Sequence, residues 1–215
     1  MEESDRERKE RSAAQRWDAR YAAAEEPLFG SEPNEYLRMV VARSDFRARS
    51  ALCLADGDGR NAAWLAGQGM TVTALDVSAV ATEKALNLDR VRGVTVERLT
   101  ADLDTWSAAP DRSWEMVSLL YLQAASGTRL RALEQAAGLL APGGWLVVEA
   151  FSKDQAAHRT MGPEDPDLLY SLTELHSATP GLEVVEALAG QVRLEEGRRH
   201  RGIAHVVRFA ARRPD

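Results

Sequence analysis

Cysteine is nearly absent. Cys53 stands alone in 215 residues, so neither an internal disulfide nor a thiolate metal site can form. Also lacking is any run of about 18 apolar residues, which excludes an ordinary membrane-spanning helix. The first eleven residues carry nine charges, the reverse of a signal peptide with its apolar stretch, and a cytoplasmic protein is expected. A basic surplus is missing too: 27 Lys and Arg against 33 Asp and Glu leave a net charge of −6. Without phosphate-neutralising excess, neither nucleic acid nor an anionic membrane is the expected partner. The four histidines, His158, His176, His200 and His205, are scattered without ligand spacing, so no metal is expected. What remains is 45% hydrophobic and 28% charged, enough for one core and suited to a small-molecule partner.

Residues 1 to about 11 read as a solvated tail. Residues 12–24 read as a helix with Trp17 and Tyr21 four apart on one face, a lid or plain core. A turn-rich connector through Pro27, Gly30 and Pro33 follows, and Tyr36, Leu37, Val40 and Val41 mark a short amphipathic helix. From Ala51 short apolar runs alternate with helical patterns. Strands are expected at 51–55, 71–75, 94–99, 116–120 and 145–151. Helices are expected over 60–69, through Ala81, Ala85 and Leu88, through Leu130, Leu133, Ala137 and Leu140, and over 167–177. Segments 182–194 and 203–211 have no room between them for a crossover helix, so they should pair as an antiparallel hairpin at the sheet edge. The fold class is therefore α/β. A doubly wound, mostly parallel seven-stranded sheet ends in a hairpin and is preceded by an N-terminal helical extension. The expected division is residues 1–40 as tail and helical lid and 41–215 as one domain.

The informative stretch is Leu52-Cys53-Leu54-Ala55-Asp56-Gly57-Asp58-Gly59-Arg60-Asn61-Ala62, a strand running through a glycine turn into a helix. Gly57-x-Gly59-x-x-Ala62 has the spacing that lets a ligand approach the backbone at the end of a first strand. Asp76 ends the next strand 19 residues after Gly57, where a carboxylate can accept both hydroxyl protons of a ribose. Together they point to a nucleoside-containing cofactor; the plainer alternative is a tight turn with Asp76 capping the next helix. Asp102 follows the third strand on the same sheet edge and can accept from an exocyclic amine such as that of adenine. Pro142-Gly143-Gly144 reads as a helix stop and glycine turn feeding the strand 145–151.

These residues, in this order, resemble the class I S-adenosylmethionine-dependent methyltransferases, and within them the bacterial group related to tellurite-resistance and thiopurine methyltransferases. The resemblance is carried by Trp17-Asp18-Ala19-Arg20-Tyr21, Phe29 to Asn34, Gly57 to Asn61, Leu75-Asp76-Val77-Ser78, Ala101-Asp102-Leu103, Pro142-Gly143-Gly144, Gly162 to Tyr170 and the closing 202–208 strand. It implies a Rossmann-like fold with S-adenosylmethionine as cofactor. The Gly57 and Gly59 loop would hold the methionine end, Asp76 the ribose, and Asp102 with the Leu103 amide the adenine, with Ala55 and Val77 also at the cofactor. Trp17 and Tyr21 would close as a lid, and Arg60 beside Asn61 would lie near the methionine carboxylate. The chain departs from the family pattern at Cys53, which reads as a buried small hydrophobe, and at Ala55, whose methyl stands where backbone should approach the ligand.

The resemblance implies that the position after the fourth strand faces the transferring methyl, so that Tyr121 and Gln123 would line the reaction centre, Tyr121 alternatively packing in the core. Loop 161–166 and Tyr170 are expected to wall the acceptor pocket, although Glu164 and Asp165 also suit a solvated turn. The run Arg198-Arg199-His200-Arg201 reads as a solvated hairpin turn. The expected acceptor is a small molecule, a thiol or chalcogen compound. A catalytically silent S-adenosylmethionine-binding protein and a nicotinamide-dependent oxidoreductase are the alternatives.

Overall fold

The computed structural model describes residues 12–158, 161–197 and 199–215; the charged run 1–11 and Arg198 lie outside them. Seven strands form one sheet in the order β3-β2-β1-β4-β5-β7-β6: β1 (Ser50–Leu54), β2 (Thr71–Asp76), β3 (Glu97–Thr100), β4 (Trp114–Leu120), β5 (Leu140–Phe151), β6 (Glu183–Glu196) and β7 (His200–Arg212). β1 to β5 pair in parallel, while β7 runs antiparallel to both β5 and β6. The helices are α1 (Ala13–Ala22), α2 (Glu35–Val41), α3 (Arg60–Gly67), α4 (Ala79–Arg92), α5 (Ser126–Gly138) and α6 (Leu172–Ala178).

Period-two alternation divides the core between the sheet's two faces. Leu52, Leu54, Leu119 and Val148 pack with Leu133 of α5 and Leu175 of α6. Ala51, Cys53, Met116 and Val147 pack with Tyr36 and Leu37 of α2 and Leu65 of α3. A sheet covered on both faces explains why β1 is uniformly apolar. The strand order reverses between β1 and β4, and at such a point loops on the carboxyl edge diverge and leave a crevice.

Several sequence expectations shift. β3 begins at Glu97, not Val94, because the Val94 amide still closes the end of α4 on Asp89 O. The buried face of α5 is Arg129, Ala132, Leu133 and Ala136, and Leu140 already belongs to β5. Arg129 is tolerated inside because it donates to Asp167 O at 2.6 Å and lies over the Tyr170 ring. Pro142-Gly143-Gly144 is not a turn ahead of β5. It lies within the strand as an irregularity, between the pairs Trp114↔Leu140 and Met116↔Trp145. The helix expected over 167–177 divides into a 3-10 turn, Pro166–Leu168, and α6, because Tyr170 pairs as an isolated bridge with Ser152 and Ser171 caps α6. The hairpin strands extend to Glu196 and from His200, which face each other in register. The turn is thus far tighter than 195–202, and His200 is a buried strand residue rather than part of a solvated run.

Candidate functional site

Leu54 ends β1, and Ala55 turns the chain with φ +55°, followed by Gly57 at +61° and Gly59 at +94°. Two of the loop's own carboxylates brace it. Asp56 accepts the Ala62 amide and pairs with Arg98 at 2.6 Å, and Arg98 also grips Asp89 of α4. Asp58 accepts the Leu28 amide at 3.2 Å, which ties the N-terminal connector to the loop. Asp76 accepts Gly57 N at 2.8 Å and Ser78 N at 2.9 Å. Burial pushes the Asp76 and Asp58 carboxyls above their usual range, and these amides oppose the shift.

The loop forms one wall of a cavity of about 270 Å³ at the carboxyl edge of the sheet. Trp17, Tyr21, Ala55, Gly57, Arg60, Asn61, Asp76, Val77, Asp102, Leu103, Tyr121 and Gln123 all meet there. Gly59 is not on its wall; it lies behind, where a Cβ would stand 2.6 Å from that of Ala85. Asp102 is exposed and accepts the Asp104 amide. Cys53 is buried in mid-strand, its thiol pushed up by burial, as expected of a packing residue.

Above the loop sits α1. Its capping box between Ser12 and Gln15 starts the helix. Asp18 reaches Ser78 Oγ at 2.6 Å and Val80 N at 3.1 Å, while Lys84 donates to Tyr21 O and Ala24 O. These anchors press Tyr21 onto the glycine loop, where its hydroxyl occupies the place a Cβ on residue 57 would take. Burial, then the Asp76, Asp58 and Asp56 charges, hold that phenol well above its usual range, so it is a hydrogen-bond donor.

Arg60 donates to Glu32 O at 2.9 Å and pairs with Glu196 at 2.6 Å, both side chains buried. Asn34 is the centre of the adjoining network. Its amide donates to Asn61 Oδ1 at 2.8 Å, and its side-chain nitrogen donates to Glu149 and, at 3.0 Å, to Glu196. Arg208 closes the network on Glu149 at 2.6 Å. Burial raises the Glu149 carboxyl and Arg208 opposes the shift.

Sequence reasoning missed Phe29, Asp58 and His200 as cavity residues. The even-numbered spacing of His200, Ala204 and Val206, four and then two residues, is the signal that would have placed the histidine on the buried face of β7. Two expectations fail. Tyr170 is wholly buried and bonded to Leu122 O at 2.8 Å, and among the described residues the 161–166 loop contributes nothing to the cavity. Gly162 instead packs on the Phe151 ring, and Glu164 and Asp165 are exposed.

The family model that matches this chain is that of a methyltransferase domain, over residues 51–144. Residues 51–144 form a methyltransferase domain. This domain holds the glycine loop, Asp76, Asp102, Tyr121 and Gln123. The protein is an enzyme of the methyltransferase class, and the 270 Å³ cavity is its candidate active site. Among solved structures, a protein of echinomycin biosynthesis, in which a disulfide bond is converted into a thioacetal group, is 18% identical, with TM-score 0.74 over 94% of this chain and 92% of its own. The N-methyltransferase NodS from Bradyrhizobium japonicum, in complex with S-adenosyl-L-homocysteine, is 16% identical, with TM-score 0.70 over 94% and 98%. TehB from Haemophilus influenzae is 14% identical, with TM-score 0.68 over 93% of this chain and 66% of its own. At these identities the likenesses establish the fold. A comparison with curated proteins found no match.

Proposed function

We propose that this methyltransferase uses S-adenosylmethionine and methylates a small-molecule acceptor, a thiol or chalcogen compound as in the tellurite-resistance and thiopurine group. The observation that carries the reading is Asp76 at the end of β2, on the cavity wall and hydrogen-bonded to the glycine loop. Each of its oxygens accepts one amide and keeps capacity for a ribose hydroxyl. The bound cofactor would supply a methyl made electrophilic by its sulfonium. Asp76 and Val77 hold the ribose, Asp102 and the Leu103 amide the adenine, and the Ala55–Gly59 loop the methionine end. Arg60 and Asn61 open α3 beside that end; Arg60 is shared with Glu196, so it serves as one member of a neutralised pair. Residues 1–40 act as tail and lid, with Trp17 and Tyr21 excluding water, and Tyr121 and Gln123 flank the acceptor.

The charge of the wall supports an adenosyl sulfonium over a dinucleotide. Asp58, Asp76, Asp102 and Asp104 all line the cavity, and a pyrophosphate placed on the glycine loop would face Asp58 directly. Calorimetric titration with S-adenosylmethionine, S-adenosylhomocysteine and NAD tests the reading. Both adenosyl ligands should bind and NAD should not. Asp76→Asn should weaken the adenosyl ligands by roughly tenfold or more, the loss of a charged hydrogen bond of about 1.5–3 kcal/mol. Unchanged affinity in that variant refutes the ribose assignment.

A further inference from the structure

We propose that His200 selects the acceptor, its imidazole taking a hydrogen bond from an uncharged S–H, N–H or O–H group at the end of the cavity away from Asp76 and Asp102. The inference rests on the reading of the Asp76 end as the adenosyl site and concerns what the other end holds.

Strand order supplies the first argument. Asp76 ends β2 and Asp102 follows β3 on one side of β1, whereas Tyr121 follows β4 on the other side and His200 opens β7, two places further on. A nucleoside lying over β2 and β3 leaves the Tyr121–His200 end for a second ligand.

Burial and hydrogen bonding supply the second. His200 lines the cavity yet is only 2% exposed, and its Nδ1 is buried with no hydrogen-bond partner. A buried polar atom without a partner is costly, so the native state gains when a ligand satisfies it. The ring is also held in place: centroids lie 4.3 Å from Tyr121, 4.8 Å from Phe29 and 5.3 Å from Phe151. Behind it the hairpin turn meets the N-terminal connector so closely that a Cβ on Gly30 would stand 2.9 Å from Gly197 N. The imidazole is therefore held in one orientation before any ligand arrives.

Electrostatics supplies the third. Burial and the neighbouring Arg60 both oppose an imidazolium and push His200 down to about 3, while Arg60 is itself neutralised by Glu196. Among the described residues that line the cavity, this end offers a neutral lone pair and no free positive charge. An anionic acceptor would enter without a counter-ion, whereas a neutral donor satisfies the nitrogen.

The test uses the full chain saturated with S-adenosylhomocysteine and three probes: benzyl mercaptan and aniline, uncharged at pH 7, and selenite, an anion. Affinity is read by calorimetry, and the His200 ring nitrogen by NMR. The neutral probes should bind and shift the His200 signal. His200→Phe should weaken them at least tenfold with unchanged affinity for S-adenosylhomocysteine, and His200→Asn should recover part of the loss. Selenite should leave the signal unmoved. Should His200→Phe not fold, the ring-nitrogen shift in the unaltered chain decides. The proposal is overturned if neither neutral probe binds the loaded protein, if His200→Phe binds them as well as the parent, or if selenite alone shifts the histidine. If S-adenosylhomocysteine itself fails to bind, the cofactor reading falls first and this inference with it.

Discussion

Arg60 at the start of α3 and Glu196 at the end of β6, 136 residues apart, form a buried ion pair at 2.6 Å. The pair fastens the helix after the glycine loop to the hairpin that carries His200, and Asn34 and Glu35 donate to the same carboxylate. Removing one partner of a buried pair strands the other charge. Glu196→Ala should therefore cost about 3–5 kcal/mol of folding stability, measured by chemical denaturation. A loss below about 1 kcal/mol would show that Arg60 finds water or another partner.

Ala55 holds φ +55° on a residue with a Cβ, a conformation that costs about 1–2 kcal/mol for an L-residue. Ala55→Gly removes that strain, against a backbone entropy loss of roughly 0.5–1 kcal/mol. The variant should be as stable as the parent or up to about 1 kcal/mol more so, and should bind S-adenosylmethionine more tightly because the methyl no longer faces the ligand. Weaker binding would mean that this methyl contributes a contact.

Gly57→Ala places a methyl where the Tyr21 hydroxyl lies and strains a φ of +61°. It should reduce S-adenosylmethionine affinity at least tenfold. Combining it with Tyr21→Phe relieves the overlap and leaves the backbone strain. The two changes should thus couple by the 0.5–3 kcal/mol usual for touching residues. Strict additivity in a double-mutant cycle would place Tyr21 away from the loop in solution.

His200 should make stability depend on pH. In the unfolded chain a histidine protonates near 6.5, whereas in the fold burial and Arg60 hold His200 down to about 3. Between these values the unfolded state binds the extra proton, so this contribution is present above about pH 6.5 and is lost as the pH falls toward 3. The slope approaches about 1.4 kcal/mol per pH unit. Thermal midpoints from pH 7 to 5 should fall less steeply in His200→Phe than in the parent. Parallel curves would show that His200 is accessible to protons in the folded state.

Much of the fold was legible because its signals are local. Ala51 to Leu54 reads as a strand covered on both faces, and 57–62 as a turn opening a helix. Segments 182–194 and 203–211 lie too close in sequence to be joined through a helix. Spacing also located Gly57, Asp76 and Asp102 on one sheet edge, since each follows a parallel strand and parallel strands end on the same side. Where the reading slipped, a tertiary partner had overridden a local preference. Tyr170 broke an expected helix to bridge Ser152, Arg129 took a core position because Asp167 O and Glu174 receive it, and four polar residues hid the continuation of β7 to His200.

By itself, then, the sequence determined the α/β order, the glycine turn and the carboxylates after β2 and β3, because strand periodicity and turn chemistry act over a few residues. Only the tertiary structure decided that Arg60 belongs to Glu196, that Asn34 joins Glu149 to the loop, that Tyr21 rests on Gly57 and that His200 faces the cavity. The residue pairs in these contacts stand 27 to 136 apart in sequence, and they arise where the closing sheet removes water and leaves each buried polar group only the partners that packing brings within reach.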